Sequence, residues 1–321
     1  MTELIKKTTH SQHQAQASNV HVQNDRNDRT AHEQASKQPS VEPLRASHEQ
    51  PQTHHLQVLD RMELIRCLRR QPNASKRIDA VLFDKDGTLL DFIYMWGYWA
   101  DQLLRSFREA LEADGLNWQE ENVAGIWGTL HDSDGHIIDY DVRGPLAMGT
   151  MNDVYAVLAW QGYRAGWSWG QASQIVRELA KAADQQLEQA RPVKEVEGAT
   201  AFIKQCRQYG LKLGVVTADD TANAHKHVSW LGIEPMFDVM IGSDRVEHGK
   251  PFPDMVQLAC QQLGVEPAHT IVFGDTNGDM MMAQAAGCEI AIGIGQSQAF
   301  ILQSMTITSF AELLTEEGTM E

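Results

Sequence analysis

The chain has 321 residues, 42% of them hydrophobic and 22% charged, and a formal net charge of −16, which allows two domains and a sizeable core. Residues 1–75 hold 10 Lys and Arg against 8 Asp and Glu and the rest hold 17 against 35, so the body should repel nucleic acid and anionic membranes, and an anionic substrate would need cations local to its site. Cys67, Cys206, Cys260 and Cys288 lack paired spacing, which argues against a disulfide framework or a zinc site; with no apolar signal core and no apolar run of about 20 residues, a soluble, cytoplasmic protein is expected.

Residues 1 to about 55 are rich in Gln, His, Ser, Asn and Thr and hold seven of the thirteen histidines. Ordering each residue costs roughly 1–2 kcal/mol, and this stretch has little apolar surface to offset it, so disorder is predicted. The segment LQVLDRMELIRCLRRQP places Leu56, Leu59, Ile65 and Leu68 at helical spacing and ends at Pro72; a short helix packed on the main domain is expected, with a partner-binding helix as the alternative. These first 75 residues form one predicted unit.

From Lys76 short apolar runs alternate with helical patterns. IDAVLF, LKLGVV, VMIGSD, TIVFGD and EIAIGIG read as strands, and residues 197–209, 220–231, 253–263 and 278–286 as helices. This alternation predicts an α/β fold with a Rossmann-like parallel sheet and ligand chemistry at the strands' carboxyl ends. Residues 92–194 break the rhythm: they are mostly helical and hold seven of the eight tryptophans. They form a predicted helical insertion between the parts of a core made of residues 76–91 and 195–321. Within it HDSDGHIIDYD reads as a turn or hairpin.

The stretch FDKDGTLLD, residues 83–91, has two readings. An EF-hand loop needs oxygen ligands at positions 1, 3, 5 and 12 and Gly at 6. Starting at Asp84 puts Leu89 at 6 and Met95 at 12; placing Gly87 at 6 puts Leu82 at 1. Both registers fail, and DSDG fails likewise with Leu130 at position 1. The other reading is phosphoryl transfer. Asp84 at a strand end can be the nucleophile, Asp86 the acid and base, and Gly87 the tight turn. Thr217 can bind a phosphate oxygen, and Lys250 in HGKPFPD supplies fixed positive charge. Asp275 and Asp279 in VFGDTNGDMM suit Mg²⁺, a hard cation.

In order and spacing, FDKDGTLLD, VVTADD, GKPFPD and FGDTNGDMM resemble the four motifs of the haloacid dehalogenase superfamily, phosphatase branch, over residues 79–310. The resemblance implies that Asp84 forms an aspartyl-phosphate and Asp86 is its acid/base. It implies that Gly87, Thr217, Ala218 and Lys250 meet the phosphoryl group. Asp84, the Asp86 carbonyl and Asp275 would ligate Mg²⁺, supported by Asp279. The insertion resembles the helical cap of phosphoglycolate phosphatases, and its Arg143, Gly149 and Thr150 are candidates to face a small phosphorylated metabolite. Lys85 departs from the usual hydrophobic residue; its side chain is expected to point away from the metal, without a catalytic role. His225, His227 and His248 are read as solvated residues.

Asp86 argues against dehalogenase and phosphonatase chemistry, which lack this residue. β-Phosphoglucomutase-like mutases keep both aspartates and stay open. So does a different class, a Mg²⁺-binding scaffold without turnover.

Overall fold

The computed structural model describes residues 55–118, 126–295 and 300–314, all within the unit Gln50–Glu321. The predicted disorder of the first 54 residues lies outside them.

Among the described residues, eight strands follow in chain order: β1 (Ala80–Phe83), β2 (Thr129–His131), β3 (Ile137–Tyr140), β4 (Lys212–Val216), β5 (Val239–Ile241), β6 (Thr270–Gly274), β7 (Ile290–Ile294) and β8 (Met305–Ile307). Six build one parallel sheet in the order β5-β4-β1-β6-β7-β8. β1, β5, β6 and β7 are buried at every position, as expected of strands covered by helices on both faces. β1 is central, and the chain runs outward from it on both sides, which opens a crevice at its carboxyl end.

Register sets what lines that crevice. Phe83 pairs with Val215 on one side and Phe273 on the other. The loops that begin at Asp84, Thr217 and Asp275 therefore emerge side by side. Below them the Phe83 ring stacks on Phe273 at 5.4 Å and meets Phe202 edge-on at 6.3 Å. Burying such rings contributes roughly 1.5–3 kcal/mol each.

The N-terminal helix α1 (Arg61–Leu68) starts later than the apolar spacing suggests. Asp60 accepts the Glu63 N–H at 2.8 Å and caps it, so Leu56 and Leu59 precede the helix. Leu64, Cys67 and Leu68 are buried in the same apolar layer as Phe83 and Phe202. The helix is thus part of the core, and the cap residue, not the leucine pattern, fixes its start.

Between β1 and β4 lie a π-helical turn (Ile93–Gly97), α2 (Tyr98–Ala113), α3 (Met151–Ala165), α4 (Trp169–Ala190) and the antiparallel hairpin β2–β3. Their apolar sides form a separate cluster around Trp99, Phe107, Trp127 and Trp167. Each of these buried indoles finds an acceptor: Trp99 donates to Asp184 at 2.8 Å, Trp127 to the Val154 carbonyl at 3.2 Å, and Trp167 to Asp114 at 2.8 Å. The insertion leaves and rejoins the sheet through two touching segments. The Asp91 N–H donates to the Lys194 carbonyl at 2.8 Å, the Val196 N–H to the Leu89 carbonyl at 3.0 Å, and Lys194 Nζ pairs with Asp91 at 3.1 Å.

After the insertion come α5 (Ala199–Gln208), α6 (Thr221–Trp230), α7 (Asp254–Leu263) and α8 (Asn277–Ala286); the first three lie within the ranges their patterns predicted, and α8 begins one residue before its range. No described helix is long and apolar enough to cross a membrane. All four cysteines are free and buried.

Candidate active site

Three carboxylates converge at the end of β1 and β6. Asp84, Asp275 and Asp279 are buried and offer ligand atoms within 4.8 Å of one another. The Lys250 ammonium joins them, at 2.5 Å from Asp84 Oδ1 and 2.5 Å from Asp279 Oδ1. Local sequence fixes each group. Thr276 caps α8: its hydroxyl meets Asp279 Oδ2 at 2.6 Å, and its N–H donates to the same oxygen at 3.1 Å. That reciprocal cap holds one Asp279 oxygen on the helix and leaves the other for Lys250. Two glycines admit the cluster. A Cβ on Gly87, whose φ is +78°, would stand 2.1 Å from Asp275 Oδ2, and one on Gly274 would stand 2.3 Å from Asp279 Cβ.

Burial governs the charges here. It pushes the Asp84 carboxyl up to about 7, with Lys250 opposing and Asp279 adding to the rise. Burial also raises Asp275 well above its usual value, helped by Asp84. Burial alone would lower Lys250, but Asp279 and Asp84 outweigh it and hold the ammonium above its ordinary value. Asp275 Oδ1 is buried without a hydrogen-bond partner, and Tyr140 from the insertion approaches Oδ2 at 3.4 Å. An orphaned carboxylate oxygen among three carboxyls and one ammonium leaves a deficit of positive charge. An all-oxygen donor set of this kind fits a hard divalent cation.

Asp86 sits beside the cluster, its carboxylate 2.7 Å from Lys85 Nζ. The Thr217 side chain is buried, and its hydroxyl accepts the Asp219 N–H at 3.2 Å; Ala218 is exposed next to it. In Arg143, 83% of the side chain is exposed; it pairs with Asp141 at 3.1 Å. With Val142, Met148, Asp275, Thr276 and Asn277 it lines a cavity of about 190 Å³. Gly149 and Thr150 lie at the start of α3, where the Thr150 hydroxyl is engaged with Asp153 at 2.7 Å as the helix cap.

The family model for haloacid dehalogenase-like hydrolases matches residues 78–287. The chain belongs to this family. A phosphoglycolate phosphatase of Yersinia pestis is 29% identical over 254 residues, 76% of this chain and 94% of that protein. The pyrophosphatase PpaX of Bacillus pumilus is 35% identical over 99 residues, 31% of this chain and 46% of its own length. The validoxylamine A 7'-phosphate phosphatase of Streptomyces hygroscopicus is 38% identical over 92 residues, 29% of this chain and 43% of its length. The matches to these last two thus span less than half of each relative. Among solved structures, a haloacid dehalogenase-superfamily hydrolase of subfamily IA from Geobacter sulfurreducens aligns with TM-score 0.52 at 18% identity, covering 74% of this chain and 94% of that one. A protein assigned as a β-phosphoglucomutase from Thermotoga maritima aligns with TM-score 0.52 at 22% identity, covering 74% and 97%. These two likenesses concern the fold.

Within this haloacid dehalogenase-like site, the sequence reading missed one group of residues. His227 is not solvated: it is buried, with Nδ1 3.0 Å from Lys85 Nζ. His225 and His248 are exposed, as expected, and paired with Glu234 and Asp254. The Lys85 ammonium turns towards Asp86, Asp219 and His227. A lysine between two aspartates directly after a buried apolar strand was the available signal, because a charge buried there must be paired.

Proposed function

We propose that the protein is a Mg²⁺-dependent phosphatase that hydrolyses a small phosphomonoester through an aspartyl-phosphate on Asp84. The observation that carries this reading is the buried Asp84 beside Lys250, Asp275 and Asp279 at the carboxyl ends of β1 and β6. Such a site pairs a nucleophile with fixed positive charge where a phosphoryl group would lie. The family membership and the phosphoglycolate phosphatase relative of similar length support the same class.

In this reading an Asp84 oxygen attacks phosphorus in line. The bond from phosphorus to the ester oxygen breaks, its electron pair stays on that oxygen, and Asp86 delivers a proton there. Water then attacks the phosphorus of the aspartyl-phosphate, Asp86 takes the water's proton, and the bond from phosphorus to Asp84 breaks. Phosphate is released, with Asp84 a carboxylate and Asp86 protonated as at the start. Lys250 and Thr217 hold the phosphoryl oxygens, and Gly87 and Ala218 leave them room. Asp84, the Asp86 carbonyl, Asp275 and Asp279 would hold Mg²⁺, which when bound supplies charge neutralisation for the approach of an anionic ester.

The insertion acts as the cap in this proposal. Arg143 lines the cavity at Asp275, and Tyr140 of the insertion approaches the same carboxylate, so Arg143 is assigned to the substrate's second anionic or polar group. Phosphoglycolate fits that assignment, since it carries a carboxylate beside its phosphate. A phosphomutase reading rests on Asp86, which both chemistries use.

The test is phosphate release from a panel of phosphate esters, with and without Mg²⁺. Mg²⁺-dependent release that Asp84→Asn abolishes is the expected result. Near wild-type release by that variant would end the proposal. Transfer between sugar carbons without release would make the protein a mutase.

A further inference from the structure

Lys85 follows the nucleophile directly, yet none of its side chain is exposed. Burying an ammonium carries a penalty of several kcal/mol unless its hydrogens are all taken up. Here Asp86 and His227 Nδ1 lie within hydrogen-bond reach of the ammonium, and the Asp219 carboxylate adds an ion pair. Asp86 lies at 2.7 Å through Oδ2 and 2.9 Å through Oδ1, Asp219 Oδ2 at 3.1 Å, and His227 Nδ1 at 3.0 Å. Trp96 closes the remaining side, with its ring centre 5.7 Å from Nζ, and also meets the His227 ring edge-on at 6.1 Å. Burial, together with the Lys85 charge, pulls His227 down to about 3, so the imidazole is neutral and its Nδ1 lone pair can accept from the ammonium. The three contacts come from three places in the chain: the loop after β1, the loop after β4, and α6. None belongs to the carboxylate cluster that surrounds Lys250.

We propose that Lys85 is a positioning residue for Asp86: the ammonium, braced by Asp219 and His227 beneath Trp96, fixes the direction in which the Asp86 carboxyl meets the leaving oxygen. This rests on the phosphatase reading, in which Asp86 is the acid and base. Without the lysine, Asp86 keeps its chemistry but loses its aim. A short charge-assisted contact to both oxygens fixes a carboxyl far better than a neutral bond does, and a misplacement of about 1 Å can lower a rate by about 10²-fold.

The consequence depends on the leaving group. An alkoxide cannot depart without a proton, whereas p-nitrophenolate can. The value of kcat/KM reports the first transfer to Asp84, so it separates the two. The experiment compares an alkyl phosphate that the wild type accepts with p-nitrophenyl phosphate, for wild type, Lys85→Met, Asp86→Asn and the double variant. For Lys85→Met, kcat/KM is expected to fall by about 10²-fold on the alkyl ester and by less than about threefold on the aryl ester. In the Asp86→Asn background the lysine change should add less than about twofold, since the residue acts through Asp86.

An equal fall on both esters for Lys85→Met, with Asp86→Asn still discriminating between them, overturns the positioning role alone. An Asp86→Asn variant that lowers both esters equally, or a wild type without phosphate release, overturns the phosphatase reading and the positioning role with it. Should Lys85→Met fail to fold, His227→Gln is the second variant, because it loosens the brace without touching Asp86. It is expected to show the same split, with an alkyl-ester loss of about tenfold, and a uniform change there overturns the proposal.

Discussion

Two groups of acidic and imidazole side chains in the described residues bring their ligand atoms within 4.8 Å of one another: Asp84, Asp275 and Asp279 in the core, and Asp132, Asp134 and His136 on the hairpin. Their surroundings are opposite. The hairpin group is exposed, and Asp132 Oδ1 accepts the backbone N–H groups of Asp134 and His136, each at 2.9 Å. Those bonds hold the Asp132 carboxyl below its usual range, and water screens the remaining charge. The core group is buried, so Lys250 becomes its counterion and burial raises Asp84 and Asp275. Proximity alone does not make a site. Burial and a shared counterion set the core cluster apart, whereas the hairpin cluster is an exposed turn.

The sharpest way to break this contrast is at Asp84, the proposed nucleophile. Asp84→Asn is expected to lower kcat by at least about 10³-fold in a phosphate-release assay, because no other group can take the phosphoryl. Next comes the counterion. Lys250→Met should reduce kcat/KM by about 10²–10³-fold, the usual scale for removing one fixed charge at a developing anion. The orphaned oxygen comes third. Mg²⁺ should raise the melting temperature of the wild type and move Asp275→Asn much less, since a ligand stabilises only the state that binds it.

A fourth effect concerns pH. Asp84 titrates near 7 in the fold, against 3.8 ordinarily. The unfolded chain therefore releases this proton first as pH rises, and stability from the protonated form is lost between about 4 and 7. Melting of the metal-free wild type across that window should show a decline that Asp84→Asn flattens. The smallest expected effect is on the hairpin. Asp132→Asn should leave kcat within about twofold of wild type, and a large loss there would erase the distinction between the clusters.

Much of this was visible in the residues. Short apolar runs that end in Asp84, Thr217 and Asp275 give strands whose polar ends share one edge of the sheet, and the parallel pairing of β1 with β4 and β6 follows from that order. Other features needed three dimensions. Lys85 and His227 lie 142 positions apart in the chain, and no period links a loop residue to one face of a distant helix. The histidine looks solvated because α6 is only weakly patterned, and besides Trp230 of the same helix it is Lys85 and Trp96, from elsewhere in the chain, that cover it. The start of α1 failed for the opposite reason. The leucine spacing continued past the helix, and the decisive residue, Asp60, is a polar one.

The paired segments at Asp91 and Lys194 carry one more consequence. A long excursion normally burdens a fold with the entropy of closing its loop, but here the exit and the return already touch just beyond the carboxyl end of β1. A short turn bridging residues 91 and 194 is therefore expected to demand little of the strands beneath it. A chain that lost this lobe would keep every strand of its sheet and every carboxylate of its core, and a chain that acquired another lobe would gain a different doorway onto the same chemistry.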